Sequence, residues 1–137
     1  MRHKKQIVAL CFLAMLTGCN KGSGPCSDLD QSTQYMAHYL SQMAEVISHA
    51  SSNEAAMTQL ETNARADAEQ IEQCAVAVTA AFRDMSTEAI MRHHEAFIQD
   101  QRVMRFLDAQ DRLIESATPE QIERLDTIVA PFSLLSE

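Results

Sequence analysis

All three glycines of this 137-residue chain, Gly18, Gly22 and Gly24, precede residue 25. Whatever folds after that point is built without the residue that best supplies positive φ or a close backbone approach. Two-residue hairpins and phosphate-cradling loops both depend on glycine, so a hairpin-rich β fold or a nucleotide-binding loop is not expected. Proline occurs only at 25, 119 and 131 and tryptophan not at all, while Ala, Gln, Glu and Met are frequent. That is the composition of long helices. The expected fold is all-α, and the length suits one domain.

Apolar residues recur at helical spacing from Ser27 to Ala50. With Leu40 at heptad position a, Cys26, Thr33, Leu40 and Ile47 form one column and Leu29, Met36, Met43 and Ala50 the other. Ser51-Ser52-Asn53-Glu54 has the pattern of a capping box with Ser51 as N-cap, placing a helix boundary there. The second helix carries Met57, Ala64, Ile71, Val78 and Met85 in one column and Leu60, Asp67, Cys74 and Ala81 in the other, with Phe82 widening the stripe. A break near Arg83 to Thr87 precedes a third, capped by Ser86 or Thr87. Its columns are Ile90, Phe97 and Met104, then Leu107 and Ile114, with Val103, Phe106 and Leu113 broadening the face. Thr118-Pro119-Glu120-Gln121 opens a fourth helix with an N-cap threonine, proline at N1 and glutamine at N3, and Pro131 ends it. The expected architecture is an antiparallel bundle of about four helices, two long and two shorter, over residues 27–137.

The N-terminus reads differently. Positive residues 2 to 5 precede the apolar run Ile7 to Leu16, too short to span a bilayer. It ends in Leu16-Thr17-Gly18-Cys19, which resembles the lipobox of bacterial lipoproteins. The resemblance implies that residues 1–18 are a signal peptide and that Cys19, lipidated on sulfur and amine, begins the mature chain and holds it to a membrane. In such lipoproteins asparagine next to the cysteine, here Asn20, goes with outer-membrane sorting. Residues 19–26 then form a flexible lipid-anchored tether. Processing would leave 8 basic against 19 acidic side chains, a net −11 compared with −8 for the whole chain. An acidic surface of that size repels nucleic acid and anionic headgroups.

Of four cysteines, Cys11 leaves with the signal peptide and Cys19 goes to lipid, so Cys26 and Cys74 remain. If the first two helices fold back near residue 50, residue i faces about 100 − i, which pairs 26 with 74. Both also fall on the seams assigned above. An exported compartment oxidises such a pair, and the staple is worth roughly 3–4 kcal/mol in the chain-entropy model.

Asp67, His93, Asp100 and Asp111 interrupt apolar columns. A metal site would draw on His93, His94, Asp100 and Asp67. Yet the paired Glu-x-x-His motifs of di-iron bundles do not occur, and adjacent His93 and His94 diverge by about 100° on a helix. The simpler expectation is that Asp67 pairs with Arg102 or Arg105 across helices. Without Cys-x-x-Cys-His, covalent haem attachment is out, and the core methionines serve as gap-fillers. Neither cofactor nor metal is expected, and no nucleophile–base pair suggests an enzyme.

What these features imply is a lipid-anchored helical module on the periplasmic face of the outer membrane that binds an envelope protein as adaptor, assembly factor or inhibitor. It is similar in outline to the pilotins that guide secretins, by architecture and by no motif. Ala117-Thr118-Pro119-Glu120-Gln121 is also similar to the LTxxQ motif of small periplasmic chaperones, with alanine where those have leucine. A chaperone or stress sensor and a metal- or haem-binding bundle are the alternatives.

Overall fold

A computed structural model describes residues 26–135, all helical apart from short connections. The expectations for residues 1–25, namely the signal peptide, Cys19 and the tether, lie outside the described residues. Six α-helices occur in order: α1 (Leu29–His49), α2 (Asn53–Ala66), α3 (Ala68–Arg83), α4 (Thr87–Gln99), α5 (Gln101–Ser116) and α6 (Pro119–Val129). A 3-10 helix, Ala130–Leu135, is the last described element.

Most helix starts are capped as a short oxygen side chain dictates. The Asp28 carboxylate accepts from Gln31 N at 2.8 Å, and the Ser86 hydroxyl from Ala89 N at 3.2 Å. Thr118 and Gln121 exchange two hydrogen bonds, 3.0 and 3.1 Å, completing the capping box of α6. At the α1–α2 turn the cap is Ser52, one residue later than the sequence suggests. Ala50 already has extended φ and ψ, and the Ser52 hydroxyl accepts from Ala55 N at 3.1 Å.

The bundle is all-α, as expected, but each of the two long connecting helices is divided at an aspartate. At Asp67 the backbone stays close to helical (φ −102°, ψ 7°), and hydrogen bonds continue on either side, Asp67 N to Asn63 O and Ile71 N to Asp67 O. The phase survives the bend, so Met57, Leu60, Ile71, Cys74 and Val78 are all buried. At Asp100 the backbone is extended (φ −61°, ψ 131°), and α5 starts afresh. The helical columns expected beyond residue 100 are therefore turned out of the core. Val103, Phe106 and Leu113 are buried, whereas Met104 and Ile114 are 51% and 36% exposed.

One contiguous core runs along α1, whose Met36, Ala37, Tyr39, Leu40, Met43 and Ala44 are all buried. Such a wide arc is buried because α1 lies at the centre, packed most extensively on α5, then α3, then α2. Each large side chain buried there contributes about 1.5–3 kcal/mol. Cys26 and Cys74 are joined in the expected disulfide, with Cα atoms 4.9 Å apart, tying the start of α1 to the middle of α3. Among the described residues no helix is long and apolar enough to cross a membrane.

Candidate functional site

The peripheral helices leave a gap between them. α6 packs on α2, and the 3-10 helix that contains Pro131 packs on α3, but α6 and α3 scarcely touch. Two features open this wedge: the bend at Asp67, which separates the paths of α2 and α3, and Pro131, which turns the chain away from α6. The result is an open groove of about 530 Å³. Its floor and walls are Ala64, Ala68, Ile71, Ala75, Ile128 and Pro131, and its edges carry Glu61, Arg65, Glu72 and Arg124. Alanine side chains are too short to fill the space they face. Both size and apolar lining are those of a binding cleft.

Arg124 fixes one end. Its guanidinium bridges both carboxylate oxygens of Glu54 at 2.9 Å and hydrogen-bonds Glu61 on the same helix, with Nε at 3.2 Å from the Glu61 carboxylate. The hydrogen bonds from Arg124 hold both carboxyls below the usual glutamate range. Gln121 adds a bond to Glu54 at 3.2 Å. The capping-box glutamine of α6 thus also docks α6 onto α2, and the residues that resemble a chaperone motif build this end of the bundle.

The four metal candidates do not converge. His93 Nε2 lies 3.1 Å from the Thr33 hydroxyl of α1, and His94 Nε2 lies 3.0 Å from the Leu134 carbonyl. Both rings set their edges against Phe82. Asp100 is occupied by Arg102, whose guanidinium meets both carboxylate oxygens at 2.8 and 3.0 Å and reaches Gln34 at 2.7 Å. This bonding holds the Asp100 carboxyl below its usual range. Among the described residues no group of three or more His, Cys, Asp or Glu side chains is placed to hold an ion.

The expected pairing of Asp67 with Arg102 or Arg105 is not formed. Restarting α5 at Asp100 aims both arginines at α1, where Arg102 meets Gln34 and Arg105 lies 3.9 Å from Glu45. Asp67 instead acts on Tyr39. The Tyr39 hydroxyl is buried with no hydrogen-bond partner of ordinary geometry, and burial, followed by the Asp67 charge, raises its pKa. Tyr39 stacks between Tyr35 and Phe132, at 6.1 and 5.5 Å between ring centroids. An ordered aromatic wedge of this kind supports packing.

Only a faint signal for the groove exists in the sequence: Ala64, Ala68 and Ala75 share one helical face with Ile71, so part of that face is small where a buried helix would be large. No protein-family model, curated protein or solved structure matches the chain.

Proposed function

We propose that this protein is a lipid-anchored interaction module of the outer membrane, on its periplasmic face, that holds a segment of another envelope protein and acts by contact rather than by chemistry. The observation that carries this reading is the apolar groove between α2, α3 and α6, which stays open although the core beside it is closed. Soluble surfaces seldom keep a contiguous apolar cleft without use for it. Anchoring rests on Leu16-Thr17-Gly18-Cys19, and a tether of a few residues would hold the bundle near the membrane.

Crosslinking in native envelopes, with Cys19→Ser as control, tests both parts. One dominant partner crosslinked only by the anchored chain is the expected result. A diffuse set of unfolded envelope proteins would replace the module with a chaperone. A Cys19→Ser chain that is still processed and membrane-bound would remove the anchor.

A further inference from the structure

α5 has two apolar faces, and only one of them meets the rest of the chain. Val103, Phe106, Ala109 and Leu113 enter the core, while Met104, Leu107 and Ile114 stand exposed, because the helix restarts its phase at Asp100. With Asp111 between them, the exposed residues keep heptad spacing at 104, 107, 111 and 114. That is the spacing of a seam that packs on a second helix. The groove between α2, α3 and α6 does not account for it, since no residue of α5 lines that groove.

The residue after each seam position is charged: Arg105, Asp108, Arg112 and Glu115. They run along one flank of the seam and alternate in sign. In an antiparallel two-fold pair the same flank of each helix lies on the same side, so this flank faces its own copy. With Gln110 level with its counterpart, Arg105 stands opposite Glu115 and Asp108 opposite Arg112, each twice by symmetry. A slip of about three residues sets Arg105 against Arg112 or Asp108 against Glu115, and a parallel copy in register sets like on like throughout. The seam's own midpoint, Ala109, is one residue and about 1.5 Å from the midpoint of the charges, and in this register Leu107 meets Ile114 of the second copy. Within the chain these charges are little used. Arg105 lies 3.9 Å from Glu45, Arg112 donates to the Asp108 carbonyl of its own helix at 3.3 Å, and Asp108, Asp111 and Glu115 are in no ion pair with a described residue.

We infer that this face of α5 binds a second copy of the chain, in an antiparallel two-fold pairing of α5 with α5 centred at Gln110. The carboxylates of Asp108, Asp111 and Glu115 beside the apolar residues disfavour lipid as the cover instead. A single helix pair is a small interface, so the pairing is weak and reversible. Asp111 is its one misfit, because it stands next to the two-fold axis and near its own counterpart. The inference goes beyond the interaction reading above and leaves the groove to another partner.

The test mixes full chains carrying a donor or an acceptor fluorophore at the C-terminus, with phosphatidylcholine vesicles present, and reads energy transfer against protein concentration. Expected is saturable transfer that weakens as salt is added. Arg105→Glu with Arg112→Glu makes the flank wholly acidic, and Asp108→Arg with Glu115→Arg makes it wholly basic. Each variant alone should associate at least about tenfold more weakly than the native chain at low salt, with unchanged circular dichroism, and an equal mixture of the two should regain the transfer. Asp111→Leu should tighten association by completing the seam and removing the like charges at the axis. Absence of saturable transfer overturns the second copy, failure of the mixture to regain it overturns the charge pairing, and unchanged or weaker association of Asp111→Leu overturns the register. Quenching of a Leu107→Trp chain by brominated lipid would put this face on the bilayer and overturn the inference as well. A chain that crosslinks to its envelope partner yet stays monomeric would overturn this inference alone and leave the interaction module standing.

Discussion

The chain bends at Asp67 and again at Asp100, and the two bends pass helical phase to the next helix in opposite ways. At Asp67 the backbone stays near the helical basin and the aspartate side chain caps nothing. α3 continues the phase of α2. At Asp100 the backbone is extended, and the carboxylate accepts from Arg102 N at 2.8 Å. A new helix starts with its own phase. A periodic apolar pattern can be read through a bend only if every backbone angle along it stays helical. One extended residue rotates all later side chains together.

The largest effect should come from what secures the first bend. The Cys26–Cys74 bridge closes a 48-residue separation that spans the α1–α2 turn and Asp67, worth about 4 kcal/mol in the chain-entropy model. No covalent link crosses Asp100 among the described residues. Chemical denaturation of the Cys26→Ser, Cys74→Ser chain should show a loss of that order. Hydrogen exchange should rise most in α3, because α5 keeps its broad packing on α1. A uniform rise across both helices would mean that the two bends are not separately secured.

A sharper contrast lies within α5. Leu113 is 3% exposed and Ile114 is 36% exposed, although a phase continued from α4 would have buried Ile114. Leu113→Ala should cost about 3 kcal/mol, within the usual range for emptying a core site, and Ile114→Ala well under about 1 kcal/mol. The reverse order, measured by urea unfolding, would show that helical phase does run through Asp100.

The aspartates themselves come next. Asp100→Ala removes an N-cap and the partner of Arg102 and should cost about 1 kcal/mol. Asp67→Ala removes no cap, restores a good helix former beside a buried tyrosine, and should change stability by less than about 0.5 kcal/mol. Because the Asp100 carboxyl titrates below its usual range, its contribution is complete above the unfolded value near 3.8 and fades as pH falls through the lower folded one. The difference between the two variants should therefore shrink in strong acid.

Much of the fold was legible in the sequence, for identifiable reasons. The missing glycines, the cap at Thr118 and the seam through Met57, Leu60, Ile71, Cys74 and Val78 report local chemistry or an unbroken phase, and both read directly. The pairing of Cys26 with Cys74 needed only the position of one turn. The restart at Asp100 was not visible, because an aspartate that interrupts an apolar column can either stay helical, as Asp67 nearly does, or cap a new helix, and no glycine or proline beside Asp100 marks the break. Its neighbour Arg102 acts as a clamp only once the backbone has already turned. The groove was hidden for a different reason. It is the space left between α3 and α6, and no single residue encodes a gap between two elements.

The smallest effect belongs to the joint between α4 and α1, where His93 meets Thr33. Thr33 has one hydroxyl proton and donates it to the Leu29 carbonyl at 2.7 Å, so it can only accept from His93 Nε2 at 3.1 Å. The neutral ring therefore carries its proton on Nε2, and Nδ1 is left buried without a partner. Protonating Nδ1 would bury a cationic donor with nothing to receive it. Burial, with a further push from His94 and against the pull of Asp30, accordingly holds the His93 pKa below the ordinary 6.5. A histidine lowered by folding contributes stability that is complete above the unfolded pKa and lost as pH falls through the folded one. The thermal midpoint should decline as pH falls below the ordinary histidine value of 6.5, and His93→Gln should flatten that decline while leaving the separate fall that Asp100 sets below pH 3.8. A midpoint that instead rises on acidification would mean that Nδ1 meets an acceptor and that the tautomer is the opposite one.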